Sequence, residues 1–248
     1  MDFLGNVTAA LPAYWTPLWV TIGATVGGSL FALLVAFALG LMAGSRFLLL
    51  RGVARTVIEF FRGTSLVVQL FWFVVVLPLA LQIRFDAVIV IAILALGMNY
   101  GAYAAEVVRG AIAAVPPGQL EACTALSFTY WQKMRLVVIP QAWPEMIPPL
   151  STLAILLLKG SSLVSLVSLA DLTFQAQVLG RRPDQEMLFH LGLILVVYFI
   201  LSYLIATGMR FLERRAKRGL GQEPPKKSAL ARPVPVEVQS AAAAAVER

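Results

Sequence analysis

Long apolar blocks free of charge constrain this chain more than anything else in it. After Asp2 no charged side chain occurs until Arg46, a stretch that a water-facing surface could not tolerate. A helix that crosses a bilayer needs about 20 mainly apolar residues at about 1.5 Å rise each. Five such blocks, bounded by charge or by Pro and Gly clusters, lie at about 18–44, 57–81, 87–111, 146–169 and 187–211. The first exceeds what a bilayer requires and is expected to tilt or project. The fourth is the weakest, because Lys159 and a Ser/Gly cluster interrupt it. Hydrocarbon admits only structures that satisfy their own backbone groups, and continuous apolar runs select helices over the alternating strands of a barrel. The expected fold class is all-α: an integral membrane protein built as a bundle of about five transmembrane helices. No Lys or Arg precedes the first block and no short apolar core with a small-residue cleavage site stands out, so it reads as a retained span rather than a signal peptide.

Charge then sets orientation. Charged residues make up 13% of the chain, against roughly a quarter in soluble domains, and the net charge of +7 is concentrated at one end. From Arg210 onward there are nine Lys/Arg against four Asp/Glu, so the basic balance speaks of topology and excludes a nucleic-acid reader. Arg46, Arg51, Arg55 and Arg62 follow the first block, and Lys133 and Arg135 follow the third. The opposite side carries Arg84, then Arg181 and Arg182 offset by Asp184 and Glu186. The positive-inside bias places the N-terminus outside and the C-terminus in the cytoplasm. Residues 1–17 are then an external segment, 18–215 the transmembrane domain, and 216–248 a disordered cytoplasmic tail too polar and proline-broken to bury a core. The basic residues beside the last span read first as a topology anchor and second as a contact for membrane lipid headgroups. No internal repeat is evident, which weighs against a secondary transporter of the inverted-repeat kind.

The segment between the third and fourth blocks, 114–150, is long for a helix connection. After Pro116-Pro117-Gly118, residues 119–126 read as a short helix with Glu121 in its first turn, where a carboxylate suits the helix dipole. A break at 127–130 follows, then a second short helix over 131–139 ending at Pro140. Phe128, Tyr130 and Trp131 would make this a knob suited to docking in a groove of another protein.

Glu121-Ala122-Cys123, then Ser127, then Val137, Ile139 and Pro140 resemble the EAA loop of ABC-transporter permeases, written E-A-A, three residues, G, nine residues, I, one residue, L-P. Cys123 stands for the second Ala and Ser127 for Gly. Because that Gly permits a tight turn, Ser127 is expected either to take a positive φ at about 1 kcal/mol or to alter the turn. The resemblance covers the chain to about residue 215. Glu59–Gln69 (EFFRGTSLVVQ) is similar to E-x-x-R-G-T-P-L-x-x-Q of the polar amino acid uptake branch, with Ser65 for Pro. Asn99–Gly110 (NYGAYAAEVVRG) is similar to A-Y-x-x-E-x-x-R-G, and Lys159–Leu163 (KGSSL) to K-D-T-S-L, with Gly160 and Ser161 departing. On these four ordered matches the chain is identified as a member of the histidine/glutamine-type permease family, with GTSLVVQ closest to the ectoine/hydroxyectoine branch.

The resemblance implies an importer in the bacterial inner membrane for a polar amino acid or a similar zwitterion. It implies a second permease subunit, the same or related, a cytoplasmic ABC ATPase dimer and an external solute-binding protein. The coupling residues it implies are Glu121, Ala122, Cys123, Ser127 and Pro140. No P-loop of the G-x-x-x-x-G-K-[ST] type occurs, so ATP and Mg are expected on the partner ATPase, with no cofactor on this chain and no enzymatic activity of its own. An ATPase-independent channel or secondary carrier is the rival.

Polar groups inside spans cost free energy unless paired. Glu59 with Arg62 and Glu106 with Arg109 have i,i+3 spacing and read as structural ion pairs. Gln69 and Asn99 sit deeper and read either as interhelical hydrogen-bonders or, with Lys159 and Ser162, as substrate-path residues. Ser161 and Ser162 are also placed to cap a break. His190 is the only histidine, which argues against a metal site, and Cys123, the only cysteine, is expected to stay reduced in the cytoplasm.

Overall fold

The computed structural model describes residues 3–82, 88–181 and 187–219, and within them every regular element is helical. In chain order these are α1 (Phe3–Ala43), α2 (Leu48–Gly63), α3 (Leu66–Leu81), α4 (Val88–Ala113), α5 (Pro117–Ala125), α6 (Tyr130–Val167), α7 (Leu172–Gly180) and α8 (Met187–Gly219). Helices α1, α4, α6 and α8 are long and apolar enough to cross a membrane, and the bent pair α2–α3 makes a fifth when counted as one broken span.

Four boundaries differ from the sequence reading. The block over 57–81 is not one helix: Thr64 and Ser65 are extended and the chain turns by 104° between α2 and α3. Helix α2 is amphipathic, burying Ala54, Ile58 and Phe61 while Arg55 and Glu59 stay exposed. An apolar count taken across Gly63 merges this surface-type helix with the apolar helix after it. Helix α1 begins at Phe3 rather than near Leu18. Its apolar stretch already starts at Leu11, and Pro12 and Pro17 do not end it, as membrane helices commonly tolerate proline. Helix α8 runs to Gly219, past the expected tail boundary at 216. Glu213 and Lys217 pair at 2.7 Å across one turn, and Lys217 and Arg218 meet the negative end of the helix dipole. The loop charges Arg84, Arg182, Asp184 and Glu186, and the tail over 220–248, lie outside the described residues.

The fourth difference is at Pro140, which does not end a short helix; α6 continues through it, and through Pro144, Pro148 and Pro149, into the bundle. Just before it, Met134–Val138 forms a π-helical turn in which the Ile139 N–H donates to the Met134 carbonyl, five residues back. The same device recurs in α3, where Trp72–Val76 precedes Pro78 and the Leu77 N–H donates to Trp72. A proline ring collides with the carbonyl four residues back in a regular helix. One wide turn moves that carbonyl aside, so the helix passes the proline without breaking.

Helices α1 and α4 approach closely over small residues. A Cβ added to Gly101 would lie 2.8 Å from the Val35 side chain, and one on Gly97 would lie 3.1 Å from the Gly28 carbonyl. Small residues of this kind let membrane helices gain van der Waals contact where no hydrophobic drive exists between them. From this pair one core runs into α6 through Ala36, Ala104, Val108, Val138, Ala142 and Met146. A second joins α3, α4 and α6 through Leu70, Ala92, Leu96 and Val164. The third seats α7 between α1 and α8 on Tyr14, Leu172, Ala176 and Ile194. Helix α8 turns Leu195, Phe199, Leu204 and Phe211 outward, a surface made for hydrocarbon rather than water.

Candidate functional site

The loop between the third and fourth spans folds as a braced corner. Helix α5 ends in a Schellman motif: Ser127 takes φ 57, the Phe128 N–H donates to the Cys123 carbonyl at 3.0 Å and the Ser127 N–H to Thr124 at 3.0 Å. Of the two outcomes open for Ser127, the strained left-handed conformation is therefore the one adopted. Two residues later Thr129 starts α6 through a reciprocal capping box, its N–H donating to Gln132 Oε1 at 2.8 Å and its hydroxyl accepting from the Gln132 N–H at 3.4 Å. The corner is anchored by Val115, Met134 and Val138 in the main core, with Leu120 packed against them. Cys123 is buried, while Glu121, Ala122 and Ser127 are exposed and Pro140 is half-buried. Glu121 sits in the second turn of α5, because the helix starts at Pro117, so its carboxylate is not a partner of the helix dipole. Leu126, Tyr130, Trp131 and Leu136 are exposed around it, Trp131 by 78%.

A second polar site fills the break between α2 and α3. A helix end leaves its last carbonyls without partners, and inside a membrane such groups must find donors within the protein. Gln69 Nε2 donates to the Phe61 carbonyl (3.0 Å) and to the Thr64 hydroxyl (2.6 Å), and the Thr64 hydroxyl donates to the Phe60 carbonyl (2.8 Å). From α4, Asn99 Nδ2 donates to the same Phe61 carbonyl and to Gln69 Oε1, both at 3.1 Å. One turn along α4, the Tyr103 hydroxyl donates to the Arg62 carbonyl at 3.1 Å, and the Arg62 guanidinium lies 5.4 Å from the Tyr103 ring centre. Gln69 and Asn99 are thus spent on the helix break, although Asn99 also borders a cleft with Thr64, Ser65, Tyr100, Tyr103 and Leu156.

The remaining candidates scatter. Arg109 donates to Glu106 at 2.7 and 2.9 Å on one face of α4, and Arg62 approaches Glu59 at 3.5 Å on the exposed side of α2. Lys159 is exposed and makes no ion pair among the described residues. Ser161 and Ser162 donate to the Leu158 and Lys159 carbonyls, both at 2.7 Å, where α6 tightens into a 3-10 turn. Gly160 is forced by contact: a Cβ there would run into the Tyr100 hydroxyl, which donates to Leu156 at 2.9 Å. His190 Nδ1 meets the Tyr14 hydroxyl at 2.9 Å, and the described residues contain no cluster of three metal-ligating side chains.

Asp171 was not singled out by sequence reasoning. It is fully buried and N-caps α7, accepting from the Phe174 N–H at 2.8 Å, with the Tyr198 hydroxyl at 3.4 Å; Thr21 of α1 accepts from the Leu172 N–H beside it. Burial pushes its carboxyl above the usual range, and bonds from the Phe174 and Thr173 backbone oppose this. The one available signal was an Asp directly before an apolar helical run, a capping signature.

Helices that cross the membrane, one of them a broken span with a polar network at its break, and a braced corner between two others are those of a multi-pass membrane protein. Residues 36–218 match the family described as binding-protein-dependent transport system inner membrane component, and the chain belongs to it. It is 43% identical to a probable amino-acid ABC transporter permease protein, y4tF, of Sinorhizobium fredii over 82% of this chain and 87% of that protein. It is 32% identical to the glutamate/aspartate import permease protein GltK of Escherichia coli over 85% and 96%. A crystal structure of an amino acid ABC transporter with histidines superposes with a TM-score of 0.77 at 32% identity, covering 87% of this chain and 99% of that one. The chain is accordingly a multi-pass inner-membrane protein.

Proposed function

We propose that this chain is the membrane subunit of an ATP-driven importer for a polar amino acid or an amino-acid-like zwitterion. In this reading it pairs with a second permease subunit and receives solute from an external binding protein. ATP and Mg stay on a cytoplasmic ATPase dimer. The observation that carries the reading is the braced corner at α5 and the start of α6. A docking element passes on a displacement only if it is stiff, and here a Schellman motif, a capping box and a buried anchor act on about twenty residues. Around that frame Glu121, Tyr130 and Trp131 are left exposed for a partner, and exposed aromatics are strong interface anchors.

With the N-terminus outside and the C-terminus in the cytoplasm, α5 faces the cytoplasm, where the ATPase is found, and α7 faces outward. The similarity to an amino-acid and a glutamate/aspartate permease protein supports an amino acid as solute; the GTSLVVQ stretch supports extending the class to ectoine-like zwitterions. Uptake into proteoliposomes holding the complete complex tests the reading. Uptake is expected to require ATP and an intact ATPase, and persistence with an ATPase whose P-loop is inactivated refutes it. Competition by unlabelled glutamate, glutamine and ectoine ranks the solutes.

A further inference from the structure

We propose that the cavity between α1, α4, α6 and α8 is a binding site for an anionic phospholipid, with one acyl chain inside and the phosphate on Arg215. The cavity has a volume of about 390 Å³, and Leu33, Ala104, Trp143, Ile147, Leu157 and Met209 are on its wall. Its polar side chains are Ser29, Tyr100 and Arg215, and the Tyr100 hydroxyl already donates to the Leu156 carbonyl. A zwitterionic solute would surrender the hydration of two charges and find one counter-group, which is strongly unfavourable in such a wall. An acyl chain gives up nothing there, and the guanidinium then selects the sign of the headgroup.

The depth fits. The apolar run of α8 ends at Met209, and Arg215 lies six residues on, about 9 Å along the axis. Helical side chains lean back toward the N-terminus, which brings the guanidinium to the interfacial layer just outside the hydrocarbon. Of its basic neighbours on α8, Lys217 pairs with Glu213 at 2.7 Å and Arg210 donates to the Ala206 carbonyl and the Thr207 hydroxyl, while Arg214 and Arg218 do not line the cavity. Arg215 itself is exposed and makes no ion pair among the described residues. A guanidinium offers a phosphate two parallel N–H donors. The inference rests on the chain's membrane placement and is independent of its solute and of ATP.

Trp143 on the cavity wall supplies the readout. The full-length permease, purified in its complex, is placed in nanodiscs carrying phosphatidylglycerol or phosphatidylcholine brominated on the acyl chains. The Trp143 contribution is the difference from W143F. Its quenching is expected to favour the anionic lipid by about fivefold, the contribution of one basic side chain near anionic lipid. R215Q, at an exposed position that leaves the fold intact, is expected to abolish the preference, and A154F, which fills the cavity, to reduce quenching by both lipids. Equal quenching by the two lipids, a preference that survives R215Q, displacement of the lipid by added amino acid, or no quenching because a second copy of the chain covers the cavity would each overturn the proposal.

Discussion

Replacing Asn99 with leucine keeps the branched shape of the side chain and removes only the amide, so it isolates what the α2–α3 break owes to α4. Asn99 Nδ2 makes two bonds, to the Phe61 carbonyl and to Gln69 Oε1. After the change the Phe61 carbonyl keeps its donor from Gln69 Nε2, which limits the loss there to one membrane hydrogen bond of about 0.6 kcal/mol. Gln69 Oε1 is left buried without a donor among the described residues, at a cost of about 1–3 kcal/mol. The total is about 1.6–3.6 kcal/mol, and for a chain of this size each kcal/mol lowers the unfolding midpoint by about 2–4 °C. The expected fall is about 3–14 °C, read as the apparent midpoint of the purified permease in detergent at fixed scan rate. Q69L should fall further, because Gln69 also holds Thr64, and the double variant should lose less than the sum, because the two amides share a bond. An unchanged midpoint in N99L together with lost solute uptake would refute the bracing argument and return Asn99 to the translocation path.

Four further outcomes concern single side chains. G101A should separate α1 from α4 and destabilise by about 1–3 kcal/mol, since its Cβ would meet Val35 at 2.8 Å. G110A, which meets nothing within 4 Å, should be neutral or slightly stabilising in the same midpoint assay. S127G should stabilise by about 1 kcal/mol by relieving the left-handed strain at φ 57, whereas S127V should destabilise; equal midpoints for the two would contradict the turn. E121A should leave the midpoint unchanged, as the side chain is exposed, while weakening ATPase docking and uncoupling ATP hydrolysis from uptake. Wild-type assembly and uptake in E121A would remove Glu121 from the coupling role.

Much of this protein was legible in its sequence because hydrocarbon imposes a coarse rule: apolar runs of sufficient length must become self-satisfied helices. The all-helical class and the third span, expected at 87–111 and found at Val88–Ala113, follow from that rule with no knowledge of neighbours. The turn at Ser127 was readable only through the resemblance, which puts a glycine there and left two backbone outcomes open; the fold takes the positive φ. Tertiary structure decided the rest. Hydropathy carries no information about direction, so the 104° turn at Thr64–Ser65 stayed hidden. What makes that turn possible is the meeting of Gln69 with Asn99, 30 residues apart, over carbonyls that no local pattern reveals as freed. Pro140 likewise stops a regular helix on local rules, whereas in the fold a π turn widens the backbone before it and the helix continues. Composition determines that a segment must be buried and helical; partners distant in the chain determine where it bends and which polar groups it can hide.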